Sequence, residues 1–307
     1  MGGVEVRQRT EGPGRLAVFP GLVAATRPKQ WTKNLLVYFG LIFALKLFDP
    51  RLFAAATAGF VVFCAVSGAV YLVNDLVDVE KDRQHPLKRR RPLAAGVVRP
   101  GQALALALLL VVVALPVAFA LRPLFGLLAL GYLALMLAYS FLLKHVVLID
   151  VFAVAAGFVI RAAAGAVVVD VPISPWLYVC TVLAALFVAL SKRRHELVLL
   201  NSGATNHRRI LQEYSAQFLD QLITAVTAAT VMAYSLYTFS ADNLPKNHAM
   251  MLTIPFVLYG LFRYQYLVHI RNQGGSPEEV LLKDLPFLVN ALLWVGSAVL
   301  VLYVFRT

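Results

Sequence analysis

Charge is scarce in this chain. Of 307 residues only 14% are charged while 60% are hydrophobic, and the mean hydropathy is +0.75. A soluble domain carries about 25% charged and about 45–50% apolar residues, so a water-soluble globule is excluded. Cysteine is scarcer still. Cys64 and Cys180 both lie in apolar stretches with no second polar partner nearby. They read as small buried hydrophobes, which sets aside a disulfide framework, a thiolate metal site and a cysteine nucleophile. The stretch from Met1 to about Leu16 is polar and arginine-rich, without the short apolar core and cleavage site of a signal peptide. It reads as an unordered cytoplasmic tail. No internal repeat or low-complexity segment is visible.

What is abundant is long apolar runs. Nine candidate spans fall near 31–48, 52–73, 103–121, 123–143, 146–169, 175–191, 217–239, 249–269 and 285–305. Several approach the ~20 residues that cross a bilayer, and helices are the structure such runs adopt there. The expected fold is all-α: a polytopic membrane protein of nine transmembrane helices. A tail over 1–24 precedes one transmembrane catalytic domain over 25–307. Lys and Arg number 28 against 16 Asp and Glu, giving +12 and an isoelectric point near 9.9. With the N-terminus inside, 21 of the basic residues fall on the cytoplasmic side, 5 outside and 2, Arg161 and Arg263, within spans. That bias satisfies the positive-inside rule. It accounts for most of the positive charge without nucleic acid, and predicts a cytoplasmic N-terminus and site.

The chemistry sits in polar islands at the cytoplasmic ends. After the second span the chain reads Tyr71-Leu-Val-Asn74-Asp75-Leu-Val-Asp78-Val-Glu80-Lys-Asp82. At about 100° per residue, Asn74, Asp78, Asp82 and Asp75 share one helix face and Glu80 lies on the far side. Three carboxylates and an amide on one face repel unless a cation lies among them. Hard oxygen donors of this kind suit Mg²⁺, which keeps several waters and bridges substrate phosphates. The plainer alternative is a solvated acidic helix end. Next come His85, Lys88, Arg89, Arg90 and Arg91. Arg89 and Arg90 fit a topology determinant touching anionic lipid. Lys88 and Arg91, near the acidic face, suit a polyphosphate, and His85 before Pro86 is a turn residue or a catalyst. Lys33 and Asn34 enter the first span behind Trp31, an interface anchor. Lys144 closes the fourth span.

Arg161 lies at mid-membrane, where a charge costs about 2.5–3.5 kcal/mol on insertion scales. Asp150, 11 residues earlier, is about 16 Å away along a helix and too far to pair with it. A phosphate ligand is the favoured reading. The second large cytoplasmic loop is cationic, opening Lys192-Arg193-Arg194-His195-Glu196 and closing at Arg208, Arg209 and Tyr214.

These motifs resemble the UbiA superfamily of intramembrane prenyltransferases. Asn74-Asp75-x-x-Asp78-x-x-x-Asp82 matches its first aspartate-rich motif at every position, and Arg91-Pro92-Leu-Ala-Ala-Gly96 matches the tail behind it. The second aspartate-rich motif is absent; Lys192-Arg193-Arg194-x-Glu196 stands in its place. Residues 27–34, 71–75, 85–92, 143–145, 160–165 and 192–196 together are similar to the decaprenyl-phosphate phosphoribosyltransferase branch. The resemblance implies transfer of 5-phosphoribose from phosphoribosyl pyrophosphate to decaprenyl (polyprenyl) phosphate, with release of diphosphate, for arabinan synthesis in cell walls. It implies Mg²⁺ held by Asn74, Asp75, Asp78 and Asp82, and a multi-pass location in the plasma membrane. Asp78, Asp82, Lys88 and Arg91 would be catalytic. Substrate contacts would come from Lys33, Tyr71, Asn74, Lys88, Arg91, Tyr139, Lys144, Arg161, Lys192, Arg193 and Tyr214. The electrostatics agree. Two polyanions must meet, and unit charges 4 Å apart interact by about 4 kcal/mol at an effective dielectric of 20, so added cations ease that meeting. A phosphate monoester, with a second pKa near 6, is mostly a dianion at pH 7 and needs no obligatory base. Two alternatives stand beside this: prenyl transfer from a polyprenyl pyrophosphate to an aromatic acceptor, and a non-catalytic lipid-phosphate carrier or flippase. Homo-oligomerisation is left open.

Overall fold

A computed structural model describes residues 15–84, 88–172, 175–201, 209–241, 244–271, 273, 275 and 277–304. His85, Arg208 and the first fourteen residues lie outside them. Among the described residues there is no strand. The helices are α1 (Arg15–Ala25), α2 (Phe39–Phe43), α3 (Pro50–Val77), α4 (Val79–Gln84), α5 (Pro100–Leu121), α6 (Pro123–Phe141), α7 (Ile149–Val168), α8 (Pro175–Asn201), α9 (Ala216–Ser240), α10 (Ile254–His269), α11 (Pro277–Lys283) and α12 (Leu285–Tyr303). Short 3₁₀ segments join several of them.

Proline and capping residues set where the long helices begin. Proline opens α3, α5, α6, α8 and α11, at the position where its missing N–H costs nothing. Asp49 caps α3 by accepting from the amides of Arg51 (2.9 Å) and Leu52 (3.2 Å). Ser215 caps α9 through Phe218 and Asp284 caps α12 through Phe287. Among the described residues six helices, α3, α5, α6, α7, α9 and α12, are long and apolar enough to cross a membrane. Nine separate spans are therefore not established. The eighth is a 16-residue α10 behind a 3₁₀ turn, and the first is not one helix at all.

That first span departs most from expectation. Residues Pro28–Tyr38 form an 11-residue 3₁₀ helix that runs into the five-residue α2. Runs of 3₁₀ beyond three or four residues are uncommon, and here packing holds one in place. A Cβ on Gly165 of α7 would lie 2.1 Å from the Val37 carbonyl oxygen, and one on Gly40 would lie 2.8 Å from the Ala166 backbone. Main chain therefore rests on main chain, as small residues allow between membrane helices. The N-terminal region also differs from expectation: Arg15 and Leu16 already belong to α1. Ala25 at its end is buried with Ala69, Leu72 and Val98.

Helix α3 is the axis of the bundle. Over its most apolar stretch 61% of residues are buried, against 17% in α5 and α12, whose outer faces carry Leu108, Leu109, Val112, Leu292 and Leu293 exposed. Such all-round hydrophobicity suits helices bathed in lipid. One core joins the 3₁₀ segment, α3, α5, α6 and α7 around Phe63, Phe125 and Tyr132. A second joins α7, α8, α9 and α10 around Phe187, Leu219 and Tyr264. Cys64 and Cys180 are free thiols in this packing, the second only half-buried.

Candidate active site

Helix α3 stops at Val77, Asp78 adopts φ −97° and ψ 8°, and α4 starts again at Val79. The break preserves the shared face. Glu80 turns outward to Arg83 at 2.7 Å, whereas Asp75 and Asp82 are buried at the same end of α3 and Asp78 is half-buried between them.

Each of the three inward aspartates meets a cation. Asp75 is held by Arg27 and, at 3.1 Å, by Arg91 Nη1. The same nitrogen lies 2.5 Å from Asp82 Oδ2, so one guanidinium draws two carboxylates together. Lys144, itself buried, donates to both oxygens of Asp78 at 3.0 and 3.2 Å. Arg27 sits in the left-handed region at φ 56° and its guanidinium lies 4.8 Å above the Tyr71 ring. Pairing is what such burial demands, because removing one partner of a buried ion pair costs about 3–5 kcal/mol. Arg27 was part of a motif read from sequence but carried no assigned role. Nothing in the sequence pointed to Asp75, 48 residues on.

No three acidic, histidine or cysteine side chains among the described residues form a ready-made metal cage. Asp75 and Asp82 are bridged by Arg91, and Asp78 is turned to Lys144. The donor chemistry still suits Mg²⁺, which is bound through one or two carboxylates with substrate phosphates completing its shell. Two buried carboxylates already converge on one positively charged atom, and Asn74 lies one turn before Asp78.

Other expected contacts sort by depth. Lys33 donates to Gln30 at 3.0 Å on the 3₁₀ segment. Lys88 lies in the short 3₁₀ turn that leads into Arg91, and Tyr139 is half-buried near the end of α6. Arg161 faces the protein interior. Its Nε donates to Asn34 (2.7 Å), Nη1 to the Gly157 carbonyl (2.8 Å) and Nη2 to Tyr132 (2.6 Å), with the Tyr132 ring 4.5 Å beneath it. Asn34 in turn donates to Cys64 and Ser67. Among the described residues Arg161 has no carboxylate partner.

Arg193 and Tyr214 belong to a second buried group. Arg193 Nη2 is 2.5 Å from Asp150 Oδ2, a meeting of charges rather than an aligned hydrogen bond, and its Nη1 donates to Glu196 at 2.5 Å. Tyr214 donates to Asp150 at 2.8 Å and accepts from the Leu148 amide at 2.7 Å. Burial pushes its phenol up to about 12, keeping it a donor through neutral pH. Lys192 is exposed.

A helical membrane bundle with an acidic rim, each buried aspartate matched by a cation, has the build of a membrane-embedded transferase of phosphorylated substrates. The chain belongs to the UbiA prenyltransferase family, whose model matches residues 34–282. It is 36% identical over 304 residues to a decaprenyl-phosphate phosphoribosyltransferase of Mycolicibacterium smegmatis, with 95% of both chains covered. Against the enzyme of that name from Corynebacterium glutamicum the identity is 34%, covering 98% of this chain and 92% of the other. Among solved structures, a UbiA homolog from Archaeoglobus fulgidus bound to GPP and Mg²⁺ superposes with a TM-score of 0.71 at 18% identity. That match covers 92% of this chain and 100% of the other. The apo UbiA homolog from Aeropyrum pernix K1 gives 0.64 at 16% identity, covering 92% and 98%. The common fold is that of an all-α membrane bundle.

Proposed function

We propose that this protein transfers 5-phosphoribose from phosphoribosyl pyrophosphate to decaprenyl (polyprenyl) phosphate and releases diphosphate. It would act at the cytoplasmic face of the plasma membrane. The observation that carries the reading is the rim itself: Asp75, Asp78 and Asp82 hold Arg27, Arg91 and Lys144 in ion pairs, with Arg27, Arg91 and Asp78 partly exposed. Nearly end-to-end similarity to relatives named for this reaction supports the choice of substrates.

The reaction is an in-line displacement at the ribose anomeric carbon. The bond from that carbon to the diphosphate oxygen breaks, and one forms to an oxygen of the lipid phosphate. The nucleophile is already anionic, so no proton need be removed. Asn74, Asp78 and Asp82 would hold Mg²⁺, which supplies neutralising charge to the diphosphate. Asp75, deepest and doubly paired, keeps Arg27 and Arg91 in place. Lys88 and Arg91 stabilise the departing diphosphate. Lys33 and Lys144 bring the second anion alongside, and Tyr71 and Tyr139 border the same space. Residues 25–307 make up the catalytic domain, with the lipid tail leaving sideways between helices.

Purified protein given labelled phosphoribosyl pyrophosphate and decaprenyl phosphate should form labelled lipid, and EDTA should abolish it. The family's prenyltransferase members, and the GPP-bound structural relative, favour prenyl transfer as the second reading. Product formed only from a polyprenyl pyrophosphate and an aromatic acid would establish that instead.

A further inference from the structure

The Asp150 group is joined to the acidic rim through the six residues 143–148. Lys144 lies in the 3₁₀ turn Leu143–His145, and Leu148, four positions later, caps α7 at φ 64° and ψ −40°. A positive φ brings the Cβ of any residue but glycine against its own backbone, so this conformation is uncommon for a leucine. Two bonds hold it: the Ile149 N–H donates to the Val147 carbonyl at 2.8 Å across Leu148, and the Leu148 N–H donates to the Tyr214 hydroxyl at 2.7 Å. The hydroxyl is itself fixed by Asp150, and Asp150 by Arg193, so three elements (the start of α7, the end of α8 and the segment before α9) fasten one turn. At the turn's other end Lys144 reaches Asp78.

We propose that Tyr214, backed by Asp150 and Arg193, is a positioning residue. It holds the 143–148 turn with Leu148 at positive φ and so delivers the Lys144 ammonium to Asp78. This rests on the function proposed above, and it moves Arg193 and Tyr214 from substrate contact to support. Misplacing a reacting group by an ångström can cost about a hundredfold, so a loosened turn acts on rate more than on binding.

Tyr214→Phe keeps the ring and removes the hydroxyl. Expected is a fall in kcat of about tenfold with KM for both substrates within about twofold. Because glycine adopts positive φ without strain, adding Leu148→Gly should restore most of the rate. A second readout needs no turnover: Lys144 should acylate several-fold faster with an amine-reactive reagent in Tyr214→Phe, and Leu148→Gly should reverse that. If Tyr214→Phe does not insert, Leu148→Val, which leaves the hydroxyl but burdens the left-handed turn, should raise Lys144 labelling in the same way. A raised KM for phosphoribosyl pyrophosphate without rescue, or unchanged Lys144 labelling in both variants, would overturn the proposal. Failure of the wild type to transfer phosphoribose would instead sink the functional reading and leave the labelling result standing.

Discussion

Two clusters of ion pairs sit at the same end of this bundle, and they are built differently. At the rim, Arg27, Arg91 and Asp78 keep about a fifth of their side-chain surface open: 20%, 24% and 16%. In the second cluster Asp150 and Arg193 keep 0% and 6%. The rim spreads three carboxylates over three cations, so a phosphate can take a cation and leave a carboxylate for another partner. In the second cluster only Glu196, at 28%, is open, and the Asp150–Arg193 pair behind it is not. Both clusters have a sealed centre, with Asp75, Asp82 and Lys144 at 2%, 4% and 5% beside Asp150 and Arg193, and the difference lies in how many of the rim's outer members stay open.

Substitutions can sharpen or break that contrast. The largest effect is expected at the rim: Asp78→Asn or Asp82→Asn should lower kcat about 10²–10³-fold while membrane insertion stays intact. A fully active Asp78→Asn protein would remove the metal role. Arg91→Ala leaves Asp75 with Arg27 alone and takes from Asp82 the one cation it meets among the described residues, and should cost about 3–5 kcal/mol of stability as well as activity; thermal unfolding in detergent reads the first. Arg193→Met should destabilise to a similar degree through the unpaired Asp150. In the folded fraction, however, KM for phosphoribosyl pyrophosphate should stay within about threefold. A large KM rise would return Arg193 to the substrate and dissolve the distinction between the clusters.

The smallest effect lies elsewhere. Asp284 accepts from Arg263 at 3.1 and 2.9 Å, which holds its carboxyl below the usual range. A depressed carboxylate contributes stability that is present above its unfolded pKa and fades as pH falls through the folded one. Asp284→Asn should therefore lower Tm at neutral pH by under about 2 °C. The difference should vanish in strong acid.

Much of this was legible in the sequence because it is local. Long apolar runs announce spans, and the spacing of Asn74, Asp75, Asp78 and Asp82 places them on one face even though the helix breaks at Asp78. Capping residues such as Asp49 and prolines such as Pro50 mark where helices begin. What stayed hidden is non-local or neutral. Asp150 finds Arg193 and Tyr214, 43 and 64 residues away. Arg161 is satisfied by an amide, a carbonyl and a phenol, none of which advertises itself as a partner for charge. The 3₁₀ segment also escaped, since the apolar pattern over 31–48 fits either helix type and only contact with α7 decides.

That contact has an arithmetic of its own. Asn34 faces Arg161 and Val37 faces Gly165. Three residues of 3₁₀ helix climb about 6 Å, and four residues of α-helix climb about 6 Å as well. Two coils of unequal winding thus keep step, one repeat of the tighter against one of the looser. Rewound as an ordinary α-helix, the 3₁₀ segment would rise only about 4.5 Å between Asn34 and Val37. The polar rung and the glycine rung could then no longer be made together.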